Sequence, residues 1–191
     1  MKHRRFFNFI NKTISLVTLV FFIAILCSCS TFFSEKHYPL MTNNSSAAPW
    51  AAQQQWIVTR DAQTYRLQAV MEVEHAAWKL VVLDSLGQRL FTATSQNSVV
   101  SIDRQQSHPL DDAFTDLAEA AQWSFWPLED LQKQTAPQWQ FKQDQHIREI
   151  YFSGILRASI NYQSVSPLNG TLRYDNYAKK FGLTIESQQL K

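Results

Sequence analysis

The chain has 191 residues, a formal net charge of +2, 45% hydrophobic residues and 13% aromatic residues. That length suits one domain, the composition supports a packed core over bulk disorder, and the charge leaves no electrostatic footprint for nucleic acid. Two cysteines are too few for a disulfide framework or a four-cysteine zinc site.

The first segment reads as an address. Residues 1–28 carry Lys2, Arg4, Arg5 and Lys12 and no acid, and Ile14 to Ile25 is almost wholly apolar. A basic stretch before an apolar run is the plan of a secretory signal, although an uncharged run from Thr13 to Ser34 is also long enough to cross a bilayer core of ~30 Å. The end of the run separates the two. Leu26-Cys27-Ser28-Cys29 resembles a bacterial lipobox, with Leu three before the modified cysteine and a small residue just before it. The resemblance implies cleavage before Cys29 and lipid attachment at that residue. Ser30 in place of Asp after it implies sorting to the outer membrane. Each buried CH₂ of an acyl chain contributes about 0.8 kcal/mol, so several chains anchor firmly.

Loss of residues 1–28 removes four basic residues and no acid, so the remaining chain carries −2. Cys27 leaves with the signal, and no thiol is left for a disulfide. Thr31 to Pro49, with Asn43-Asn44-Ser45-Ser46-Ala47-Ala48 at its centre, lacks periodicity and reads as a flexible tether. The expected organisation is a signal over 1–28, an acylated N-terminus and tether over 29–49, and one domain over 50–191.

The domain begins with strands. From Trp56 the pattern has period two. Tyr65, Leu67, Ala69, Met71 and Val73 alternate with mostly polar neighbours, which predicts a half-buried strand. Trp78 to Val82, Arg89 to Thr94 and Val99 to Ile102 follow, with Asp84-Ser85-Leu86-Gly87 as a turn. The period then changes. After Pro109, Asp111 and Asp112 suit a helix N-terminus, and Phe114, Leu117, Ala118 and Ala121 share one helical face. Trp123-Ser124-Phe125-Trp126 joins this helix to a second one over Pro127 to Gln132. Strands resume at Trp139 to Phe141, His146 to Phe152, Ile155 to Tyr162, Thr171 to Tyr174 and Phe181 to Ile185. The reading is mainly β (α+β): about six strands, a helical insert, then about five. An antiparallel sheet of about eleven strands curls toward a barrel, and a helical insert between its halves can cover the open mouth or fill the interior, so that curved sheet and apolar helices make a concave apolar cavity.

Catalytic constellations are absent. Glu72, Glu74 and His75 cluster at one strand end and Asp144 and His146 at another, and His37 lies in the tether, without the spacing of a zinc site. No GxSxG elbow, GxGxxG or P-loop occurs. Arg157, Ser159 and Asn161 alternate on a strand and read as its solvent face. The chain reads as a non-enzyme without metal or cofactor, and a buried carboxylate or histidine of shifted pKa in a cleft would reopen that reading.

Three motifs carry a family resemblance: Leu83-Asp84-Ser85-Leu86-Gly87-Gln88-Arg89-Leu90-Phe91, Trp126-Pro127-Leu128-Glu129-Asp130-Leu131, and the segment from Gly170 to Ile185. In order, and behind a lipobox, they resemble the LolB-like outer-membrane lipoproteins. They are closest to an uncharacterised branch of which some members are encoded beside aryl-polyene lipid biosynthesis genes. The resemblance implies an incomplete antiparallel barrel with a helical lid, which accepts acyl chains of a lipoprotein from a LolA-like periplasmic carrier and delivers them to the outer membrane. It further implies a membrane-insertion loop at Ser85, Leu86 and Gly87. The expected cavity liners are Tyr65, Leu67, Met71, Trp78, Leu80, Val82, Leu90, Phe114, Leu117, Trp126 and Leu131. Expected partners are outer-membrane lipid and lipoprotein or polyene-lipid acyl chains, with no nucleic acid and the chain as a monomer. The alternative is a structural or assembly lipoprotein of the envelope that docks a partner protein.

Overall fold

The computed structural model describes residues 40–41, 48–75, 77–96, 99–105 and 107–191. All belong to the unit Pro39–Lys191. The signal, Cys29 and most of the tether lie outside the described residues. Five strands come first: β1 (Trp50–Arg60), β2 (Gln63–Val73), β3 (Trp78–Leu83), β4 (Arg89–Gln96) and β5 (Val99–Arg104). A 3₁₀ turn (Asp111–Ala113) leads into helices α1 (Phe114–Phe125) and α2 (Leu128–Gln134). Five more strands follow: β6 (Trp139–Asp144), β7 (Ile147–Phe152), β8 (Ile155–Tyr162), β9 (Asn169–Asn176) and β10 (Phe181–Gln189).

All ten strands form one sheet in the order β5-β4-β3-β2-β1-β10-β9-β8-β7-β6. Each neighbouring pair is antiparallel. The sheet is not closed: β5 and β6 are its two edges, and the helical insert is the chain between them. The class is mainly β, as the alternation predicts, but the described strands number ten and not eleven. The difference lies before the insert. Trp50–Arg60 is a single strand of 11 residues, so five strands precede the helices and not six.

Strand faces follow the pattern of period two. In β2, Leu67, Ala69, Met71 and Val73 are buried and the residues between them are not. β1 places Ala52, Gln54, Trp56 and Val58 on the same inner face. The turn from β1 to β2 is Asp61-Ala62, with both residues at positive φ (49° and 62°). A two-residue hairpin turn of this hand matches the twist of the strands but favours Gly or Asn.

The helices cover the inner face. Phe114 stacks on Phe91 of β4 with ring centroids 4.6 Å apart. Trp126, between the helices, meets Trp78 of β3 edge-on at 6.0 Å. The helix entry is tied to the sheet by Arg60, whose two terminal nitrogens donate to the two carboxylate oxygens of Asp112 at 2.7 Å each. The expected helical face of Phe114, Leu117, Ala118 and Ala121 is buried, but so are Asp116, Glu119, Gln122 and Ser124. The helix is enclosed on nearly every side. Trp123 and Phe125 belong to α1 itself, so the joint between helices shrinks to Trp126-Pro127. No described helix is long and apolar enough to cross a membrane.

Because Ala62 holds a left-handed conformation with a Cβ that disfavours it, Ala62→Gly is expected to raise the unfolding free energy by about 1 kcal/mol, read from urea denaturation.

Candidate functional site

The residues expected to line a cavity are brought to one face. Leu67 and Met71 come from β2, Trp78, Leu80 and Val82 from β3, Leu90 from β4, Phe114 and Leu117 from α1, Trp126 from the joint and Leu131 from α2. All ten are at most 2% exposed. Tyr65 differs. It is half-buried at the end of β2, with its ring 5.7 Å from that of His108 and its hydroxyl donating to the Gln63 side chain. These ten side chains are thus shielded from water, and the aromatic contacts place the helices directly on the sheet.

Leu86 stands apart from this interior. It is 81% exposed at the tip of the β3–β4 hairpin. The tip is built from the Asp84 side chain, whose Oδ1 accepts from the amides of Leu86 and Gln88, both at 2.8 Å. The Gly87 amide donates to the Asp84 carbonyl at 3.1 Å, and Gly87 supplies the positive φ of 78°. Asp and Gly fix the turn, so the leucine between them is presented on an ordered loop.

The C-terminal end of α1 is held by two side chains of the sheet. Arg148 of β7 donates through Nη1 to the carbonyl of Trp123 and, at 2.9 Å, to that of Trp126. Its Nε and Nη2 donate to Gln143 Oε1 at 2.9 and 2.7 Å. The Tyr162 hydroxyl donates to the Ser124 carbonyl at 2.9 Å, and the guanidinium lies 5.7 Å from the Tyr162 ring. A helix end carries unpaired carbonyls and a partial negative charge, so a cation there satisfies both. Burial pushes the Arg148 pKa down from its ordinary value and the Tyr162 pKa up. Farther along the helix, Gln122 brackets the backbone of Met41: its Oε1 accepts from the Met41 amide at 2.9 Å and its Nε2 donates to the Met41 carbonyl at 3.1 Å. Trp78 Nε1 donates to the same carbonyl at 2.8 Å. Met41, read from sequence as part of the tether, is therefore a buried residue of the fold.

One carboxyl group in the interior is strongly perturbed. Glu119 of α1 is 5% exposed and its Oε1 has no hydrogen-bond partner. Burial, and then the neighbouring Asp116, push its pKa up to about 9, against the pull of Lys179. Tyr174 of β9 is likewise pushed up by burial and by Glu119, while Asn176 Nδ2 donates to its hydroxyl oxygen at 2.9 Å. Glu119 is thus a neutral acid at physiological pH. It meets the condition of a buried, shifted carboxylate. Away from it, a space of about 220 Å³ is lined by Gln55, Trp56, Ile57, Arg66, Thr171, Thr184 and Glu186. Among the described residues, four other buried groups that can donate also lack partners: Gln54 Nε2, Trp126 Nε1, Thr135 Oγ1 and Ser187 Oγ. Leaving such a group unsatisfied costs ~1–3 kcal/mol.

The other polar residues marked in the sequence are dispersed. Glu72, Glu74, His75, Asp144 and His146 are exposed. Ser159 hydrogen-bonds to the Tyr177 hydroxyl at 2.8 Å, and Arg157 lies 5.6 Å from the Phe152 ring. Among the described residues no group of three or more His, Cys, Asp or Glu is placed to hold a metal. His37 and Cys29 lie outside the described residues. Sequence reasoning missed Arg148, Glu119 and Gln54. A signal existed for two of them: Arg148 is two residues before Ile150 and Gln54 two before Trp56, both on inward-facing rows.

These features define an open antiparallel sheet with a helical insert seated on its inner face. The chain belongs to the family described as protein of unknown function DUF3261, whose model matches residues 51–189. No curated protein matches it.

Two outcomes are expected. Arg148→Met strips the Trp123 and Trp126 carbonyls of a charged donor and should cost about 2–3 kcal/mol in urea unfolding. For Glu119, the native pKa of about 9 lies above the unfolded value, so the native state retains a proton that the unfolded state gives up. Stability therefore falls as pH rises between the two values. Glu119→Gln should raise the urea midpoint at pH 8.5 and leave the difference from the parent smallest near pH 4.5.

Proposed function

We propose that this protein is an outer-membrane-anchored, periplasm-facing lipoprotein of the LolB-like kind. In this reading Cys29 carries the lipid, the interior between sheet and helices receives acyl chains of a lipoprotein or a polyene lipid, and a LolA-like carrier is the donor. No bond is made or broken, and affinity comes from apolar burial at about 25 cal/mol per Å². The observation that carries the proposal is Leu86, an apolar side chain 81% exposed on a hairpin tip that Asp84 and Gly87 hold in shape. Loop tips are ordinarily polar, and a fixed apolar tip suits entry into a lipid surface. The apolar inner face supports the second half of the reading. There the helices act as the movable cover, and Arg148 and Tyr162 act as the latch that keeps it shut without cargo.

A docking role for a partner protein is the second reading. The closed interior favours it, because the ten buried residues already fill one another's contacts.

The two readings separate on lipid retention. The chain from Ser30 onward, examined by native mass spectrometry, is expected to carry co-purified lipid and to bind a fluorescent fatty acid. Repeated absence of both leaves the docking role. Leu86→Glu is expected to lower delivery of a lipoprotein from its carrier into liposomes at least tenfold while leaving fatty-acid binding intact. Unchanged delivery removes Leu86 from the mechanism.

A further inference from the structure

Across the four central strands β2, β1, β10 and β9, one row of the inner face sets two polar side chains between an alanine and a glycine. Ala69 of β2 pairs with Gln54 of β1, Gln54 with Ser187 of β10, and Ser187 with Gly170 of β9. The next row along the same face is Leu67, Trp56, Ile185 and Leu172, all large, apolar and buried. The sheet floor is therefore low at Ala69 and Ser187, while the Ser164 side chain fills the space over Gly170. Gln54 stands among them at 1% exposure and Ser187 at 6%.

Both polar side chains are incomplete. Gln54 Oε1 accepts from Trp56 Nε1 at 2.8 Å, which fixes the amide and turns its Nε2 away from the indole with no acceptor. Ser187 Oγ, directly across the strand pair, has no partner either. Cross-strand neighbours have Cβ atoms ~4.5–5.5 Å apart, so one oxygen between them can accept from both. The cationic side chain in this register, Arg104, is exposed on the edge strand β5, so a carboxylate at Gln54 would be buried without compensation, whereas a neutral carbonyl needs only hydrogen-bond donors. From Gln54 to Arg60, β1 rises ~20 Å, and Trp56, Val58, Leu183 and Ile185 make that length of inner face apolar.

We propose that Gln54 and Ser187 form the binding site for the carbonyl oxygen of an acyl ester or amide, with the hydrocarbon chain laid along Trp56, Val58, Leu183 and Ile185. The inference rests on the acyl-binding reading above and deepens it. It turns a general apolar interior into one with a defined register, in which the head end of the chain is recognised and the tail is not.

The test uses the full chain in mild detergent, with methyl palmitate labelled with ¹³C at the carbonyl, an N-methyl palmitamide labelled likewise, and hexadecane as the probe without a carbonyl. In the parent protein, the infrared carbonyl band of the bound ester is expected to shift to lower frequency than in detergent alone. The variants Gln54→Leu and Ser187→Ala should each reduce or remove that shift. Together they should weaken ester binding about tenfold or more and leave hexadecane binding unchanged. Ser187→Ala should not lower thermal stability, since it removes an unpaired group, whereas a purely structural role would lower it; Gln54→Leu also strips Trp56 Nε1 of its acceptor and should lower it. If Gln54→Leu fails to fold, Ser187→Ala alone decides by the same band. An unshifted band, or a shift that survives both substitutions, overturns the site while acyl binding stands. Failure of the parent to bind any of the three probes overturns the acyl-binding reading and the site with it. A shift for the ester and not the amide, or the reverse, assigns the carbonyl to one source.

Discussion

The constraint on which the rest depends is the buried end of α1. A helix seated on a sheet must end somewhere, and this one ends away from water, where unpaired carbonyls are costly. Arg148 and Tyr162 supply the missing donors from neighbouring strands, β7 and β8. Because Arg148 is itself shielded, the charge is tolerated only while the carbonyls and Gln143 surround it. The helix and the second half of the sheet are thereby made mutually necessary. The other end of the insert is tied to the first half, through Arg60 and Asp112. The insert thus bridges the two halves of an open sheet.

The polar groups that the fold encloses around that insert are of two kinds. Arg148, Tyr162 and Gln122 have partners that hold backbone in place. Glu119, Gln54 and Ser187 each keep an atom with no partner. The first kind explains why the helices sit where they do. The second kind weakens the closed arrangement, Glu119 increasingly as the pH rises.

Much of the sheet was legible in the sequence, for definite reasons. The alternation from Tyr65 to Val73 has its large apolar side chains on one parity, and the structure buries that parity up to the strand end at Tyr65. Asp84 and Gly87 are the residues a tight turn needs, and they make one. Other elements were hidden. Gln53-Gln54-Gln55 has no apolar alternation, so the first half of β1 is specified by pairing with β2 and β10 and not by its own composition. Asp61-Ala62 lacks the glycine that marks a hairpin. The polar side of α1 looks like a solvent face because burial of Asp116 and Glu119 depends on distant strands that local periodicity cannot see. Of the candidate interior, the apolar members could be found by pattern. The groups that give it direction, Arg148, Gln54 and Ser187, are single polar residues on inward rows, visible only once the register of each strand is known.

The pairing of β1 with β10 has a consequence for the order in which the chain can fold. Nine register pairs join Ala52–Arg60 to Phe181–Gln189, the first strand to the last, at the middle of the sheet. Every other strand pairs with a sequence neighbour, so each half is a local meander that can form early. The central seam has the greatest sequence separation in the sheet. A chain made from its N-terminus completes β1 long before β10 exists, and until then one side of β1 carries open hydrogen-bonding groups. β10 is thus the segment whose pairing joins the two halves, and until it meets β1 the inner edge of the first half stays open.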